Sequence, residues 1–176
     1  ANKPFLVVEK KQNINDEDNV LENKKKNINE SQSIAKDSST TNISFDFKEI
    51  TDPSPSLDQI EALINAWLFN KSIYLAGKSE INLSKIAKEG LIQRTIEEKQ
   101  NDVKKGVLKE INAKIEKIEL VSQSSSRIVV LVDLNYSEKI TKKSGEFSET
   151  SFPWKVKYIL GFNNKSWKLA DFIPNL

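Results

Sequence analysis

Hydrophobic positions in this chain keep two rhythms, and the change falls near residue 107. Leu57, Ile60, Leu63, Ile64, Trp67 and Leu68 recur at three- and four-residue steps, which places them on one face of a helix. Ser56-Leu57-Asp58-Gln59 opens that helix with the spacing of a capping box, in which Ser and Gln satisfy orphan backbone donors reciprocally. Gly77 supplies a left-handed stop, so the first helix is predicted over about 56–76. A shorter helix is expected around Leu83, Ile86 and Ala87, ending at Gly90. A third is expected to carry Ile92, Ile96 and Val103 and to end at Gly106.

Beyond Val107 the period becomes two. Ile111, Ala113 and Ile115 alternate with polar residues, but Ile118 and Leu120 have the opposite parity, a one-residue slip that predicts a β-bulge. Ile128, Val130, Val132, Leu134 and Tyr136 mark a second strand. A third runs through Phe152, Trp154, Val156, Tyr158, Leu160 and Phe162, and Trp167 and Leu169 sit in a fourth. Turns at Ser122–Ser126, Ser144-Gly145 and Asn163-Asn164 suit hairpins, so the sheet is expected to be antiparallel. Three helices followed by a curved four-stranded meander is an α+β arrangement, a bent sheet wrapped around the long helix as a cone.

The first 55 residues follow neither rhythm. They are rich in Asn, Lys, Ser, Asp and Glu, and bury too little apolar area to offset an ordering cost of roughly 1–2 kcal/mol per residue. A disordered linker over 1–55 and a folded domain over 56–176 are therefore expected, with Ser44-Phe45-Asp46-Phe47 as a possible short docking segment. Phe5 to Val8 reads either as the end of an upstream membrane span or as a sticky stretch of tail; no apolar run reaches the roughly 20 residues that cross a bilayer. The chain begins at Ala1 and contains no Met, as expected of a piece of a longer protein, so any membrane attachment would come from an upstream span.

Composition narrows the chemistry. There is no Cys and no His among 176 residues, which removes thiolate and imidazole ligands, the cysteine nucleophile and the commonest general base. No metal, cofactor or catalytic residue is expected. The net charge of +2, spread without an arginine cluster, gives no support to nucleic acid as a partner.

Ala66-Trp67-Leu68-Phe69-Asn70-Lys71 on the first helix, with Val156-Lys157-Tyr158-Ile159-Leu160 and Ser166-Trp167-Lys168-Leu169 near the end, resembles the IMS-type C-terminal domain of the cyanobacterial ZipN and chloroplast-division J-domain-like family. The resemblance covers about 57–176. An aromatic-rich stretch that the family carries after the third helix is here Lys105-Gly106-Val107-Leu108. The resemblance implies an NTF2-like cone and a non-enzymatic partner-binding role. It also implies a membrane-anchored parent that tethers the FtsZ ring, with this domain in the periplasm, or in the intermembrane space of plastid relatives. The implied partner is a peptide or C-terminal tail of another envelope division protein.

Five residues are candidates for that contact. Trp67 and Lys71, four apart, project from one side of the first helix, with Trp67 as an apolar wall and Lys71 as a counter-charge for a partner carboxylate; the plainer alternative makes Trp67 core and lets Lys71 snorkel. Tyr136, Trp154 and Tyr158 share the inward parity of their strands, so they either line a pocket or pack in the core. Trp167 reads as a core plug. The alternative to partner binding is a small-molecule site or an isomerase or dehydratase using Asp133 or Glu138 as base with Tyr136 or Tyr158 as donor. Asp133 has outward parity, and Glu138 is placed at a strand end. A lipid-facing module using Lys155 and Lys157 is the third reading.

Overall fold

The computed structural model describes residues 8–10 and 47–175. Its elements, in chain order, are β1 (Val8–Lys10), α1 (Leu57–Leu75), α2 (Glu89–Lys105), β2 (Val107–Gln123), β3 (Arg127–Lys142), β4 (Phe147–Phe162) and β5 (Trp167–Pro174). All strand pairings are antiparallel: β2 with β3, β3 with β4, and β4 with both β5 and the short β1. Two helices pack on this open sheet, and the fold is α+β.

Sequence signals fix the helix ends. The Ser56 Oγ accepts from the Gln59 N–H at 3.2 Å, and the Gln59 Oε1 accepts from the Ser56 N–H at 2.9 Å, closing the predicted capping box. After α1 the Gly77 backbone turns left-handed at φ 69°, and Gly106 does the same after α2 at φ 67°. Ile60, Leu63, Ile64 and Trp67 are buried against Ile128, Val130, Val132 and Leu134 of β3 and Val156 and Leu160 of β4. Each such side chain, fully removed from water, stabilises by roughly 1.5–3 kcal/mol.

Three expectations need correction. The helix around Leu83, Ile86 and Ala87 is a single turn, in which Leu83 C=O accepts from Ile86 and Ala87 N–H, after which the chain straightens. Lys88 N–H then donates to Leu169 C=O and Leu169 N–H to Ile86 C=O, so the segment runs parallel along the edge of β5. The three apolar residues do enter the core, and one turn satisfies their spacing as well as a helix would. Gly90, expected as a stop, lies in the first turn of α2. On α2 itself Ile92 and Ile96 face the core, whereas Val103 is 62% exposed.

Contacts with the core also extend ahead of Ser56. Ile50 is buried and its C=O accepts from Trp167 N–H at 2.9 Å; the Trp167 indole donates to Asp52 C=O at the same distance. Phe47 packs against the core. Val8–Lys10, also assigned to the linker, pairs with Phe147–Glu149. The rest of the expected linker, with Ser44 to Asp46, lies outside the described residues, as does Leu176. No helix among the described residues is long and apolar enough to cross a membrane.

The predicted slip in β2 is present: the register shifts between Ile115 and Lys117, leaving Glu116 as the extra residue, and shifts again between Leu120 and Ser122. Such bulges bend a strand and increase its twist, which carries β2 around α1.

Candidate functional site

Where the core under α1 ends, a cleft of about 290 Å³ opens between the helices and the inner face of the sheet. Its walls are aromatic: Trp67 from α1, Tyr136 from β3, Trp154 and Tyr158 from β4, and Phe172 from β5. Strand alternation puts Tyr136 opposite Phe152 and Leu134 opposite Trp154 in register, so the rings stack along one face. Tyr136 and Trp154 meet edge to face with centroids 5.0 Å apart, and Tyr136 and Phe152 lie 5.3 Å apart. Leu68 and Ile111 complete the apolar lining.

A charged network forms the other side. Lys71 bonds Glu98 of α2 at 2.8 Å, and Lys109 of β2 holds the second Glu98 oxygen at 2.9 Å. The Lys109 ammonium also stands 3.6 Å from Asp102 and 4.0 Å from Glu138. Burial by itself would raise the Glu98 carboxyl, but its contacts with Lys71 and Lys109 prevail and hold it below the ordinary 4.5. Burial would likewise lower Lys109; Glu98, Glu138 and Asp102 prevail and raise it above 10.5. The Tyr136 hydroxyl donates to Glu138 at 3.1 Å, and burial, with Glu138 beside it, pushes its ionisation far above 10. Tyr158 is 2% exposed, and burial raises it too. Both are neutral phenols at any physiological pH.

All five sequence candidates, Trp67, Lys71, Tyr136, Trp154 and Tyr158, therefore line one cleft. Trp67 is at once core and wall, being 1% exposed. Lys71 does not snorkel: its ammonium lies against Glu98 and 5.3 Å from the centre of the Phe172 ring. Its charge is thus already met within the domain. Glu138 was expected at a strand end; β3 continues to Lys142, and Glu138 faces the cleft. Asp133 points to the other side of the sheet and pairs with Lys155 at 3.1 Å. Trp167 is fully buried, as a core plug must be.

Sequence reasoning missed Glu98, Lys109 and Phe172. Lys109 was visible in principle, since it shares the inward parity of Ile111 and Ala113. Phe172 was not, because an irregularity in the β4–β5 register breaks the alternation that Trp167 and Leu169 begin.

No curated protein sequence matches the chain. Among solved structures it is similar to the intermembrane space region of chloroplast protein ARC6, with a TM-score of 0.57 and 12% identity, over 69% of this chain and 98% of that one. That likeness is one of fold. The ARC6-like, IMS domain family matches residues 60–170, which takes in most of α1, all of α2, β2, β3 and β4, the start of β5 and every cleft residue except Phe172. The match extends over more than half of the sequence, and the chain belongs to the ARC6-like IMS domain family.

Proposed function

We propose that this is a non-enzymatic interaction domain of a membrane-anchored cell or plastid division protein, and that it holds a peptide or tail of another envelope division protein in the aromatic cleft. The parent would tether the FtsZ ring on one side of a membrane and present this domain on the other, in the periplasm or intermembrane space. The observation that carries the reading is the convergence of Trp67, Tyr136, Trp154, Tyr158 and Phe172 from four elements on one open cleft. Rigid aromatic walls offer large contact area at low entropic cost, which is what capture of an extended segment needs.

The test is titration of a partner's envelope-side tail into the domain. Trp154→Ala, shown folded by its thermal transition, should weaken binding by about 2 kcal/mol or more, whereas the outer-face Lys157→Ala should have little effect. Full affinity in folded Trp154→Ala, Tyr158→Phe and Lys71→Ala variants would move the site elsewhere. A second reading, isomerase or dehydratase chemistry, has the Tyr136–Glu138 pair in its favour. A turnover that disappears in Glu138→Gln would establish it.

A further inference from the structure

We propose that the cleft receives a basic side chain, the ammonium of a lysine or the guanidinium of an arginine carried by the partner's segment; this names the chemistry of the partner and rests on the partner-binding reading above. The polar end of the cleft is rich in acceptors and short of donors. Tyr136 gives its proton to one Glu138 oxygen, Oε2, so toward the cleft it offers lone pairs. The other Glu138 oxygen, Oε1, has no partner among the described residues. Tyr158, only 2% exposed, lines the cleft, and its hydroxyl finds no hydrogen-bond partner among the described residues. A hydroxyl and a carboxylate oxygen that face the cleft without a protein donor can accept from a ligand that brings N–H groups.

Charge points the same way. The cleft lining carries one cation, Lys71, against two carboxylates, Glu98 and Glu138. Behind it, Lys109 faces Asp102, whose Oδ2 is buried without a hydrogen bond. Lys99, the next cation, donates to the C=O groups of Tyr74 and Leu75 at the end of α1 at 2.7 and 2.8 Å and acts on Asp102, outside the cleft lining. The lining residues themselves are one positive charge short. A ligand carboxylate would have to displace Glu98 from Lys71 and then stand beside Glu138. The aromatic walls favour a cation as well: Phe172 already carries Lys71 and Arg94 at 5.3 and 5.7 Å, while among the described residues no cation lies over Trp154 or Tyr158.

The experiment uses the full chain and four acetylated, amidated pentapeptides, Gly-Leu-Xaa-Leu-Gly, with Xaa as Lys, Arg, Gln or Glu, followed by the indole N–H resonance of Trp154. The Lys and Arg peptides should bind about tenfold more tightly than the Glu peptide, and Glu138→Gln should bring the Lys and Gln peptides to equal affinity. Glu110→Gln, at an exposed carboxylate outside the cleft, should leave the preference intact. Equal or tighter binding of the Glu peptide, or a Lys preference that survives Glu138→Gln, overturns the basic-side-chain proposal while leaving the cleft as a partner site. If no peptide perturbs Trp154, both readings fail.

Discussion

Strand β3 passes through two regions that share one face and differ in what fills them. From Ile128 to Leu134 its inward residues are at most 1% exposed and wholly aliphatic, covered by α1. From Tyr136 onward the same parity brings Tyr136, Glu138 and Ile140, all half-buried. Strand β4 repeats the division in reverse, with Val156 and Leu160 sealed and Trp154 and Phe152 half-open. Backbone pairing is continuous across the boundary, so the ladder does not set the difference. Helix cover does: where it ends, aliphatic packing gives way to rings and paired charges that tolerate water.

The contrast is most open to attack in the sealed region. Leu160→Ala removes a side chain of 0% exposure and should cost about 3 kcal/mol by urea unfolding. A cost near that of a surface substitution would show that the two regions are packed alike. In the open region Lys109→Met leaves Glu98, Asp102 and Glu138 facing one another without their shared cation. Because the lysine keeps 15% side-chain exposure, the loss should be about 1–3 kcal/mol, below that of a dry ion pair, and adding Glu98→Gln should restore part of it.

The same network sets a pH dependence. Glu98 is depressed in the folded state, so its contribution is present above 4.5 and is lost as pH falls through its lower folded value. Lys109 is raised, so its contribution is present below 10.5 and is lost as pH climbs through its higher folded value. Stability from this cluster should be flat between those limits and fall at both ends, and Glu98→Gln should reduce the acid limb. Trp154→Ala should cost only about 1 kcal/mol of stability, since its ring is half-open and loses a fraction of full burial. The smallest effect is expected at Gly161→Ala, whose new methyl would press on the flexible end of the Lys88 side chain and otherwise make ordinary contact with the Ala170 Cβ.

Much of the sealed region was legible in the sequence because one alternating or helical run dictates each surface, from Ile60–Trp67 to Ile128–Leu134, although Leu57, expected on the same helix face, is 39% exposed. Even the bulge at Glu116 showed as a parity break between Ile115 and Ile118. The aromatic wall was legible for the same reason. The charged side was not: Glu98, Lys109 and Glu138 come from three elements, and their meeting depends on how α2 docks against β2 and β3, which no local pattern encodes. The lost middle helix shows the converse limit, since Leu83, Ile86 and Ala87 report which residues go inward without saying how far the turn continues.

The Trp167 contacts with Ile50 and Asp52 have a mechanical meaning. The chain leading into α1 is fastened to the first residue of β5 by a backbone hydrogen bond and an indole hydrogen bond, seven and five residues ahead of Leu57. Tension entering along the chain ahead of residue 47 would meet that fastening before it could unwind the helix whose Trp67 and Lys71 line the cleft. Under such a load the two bonds would act as a strain relief for α1, and the cleft would keep its shape.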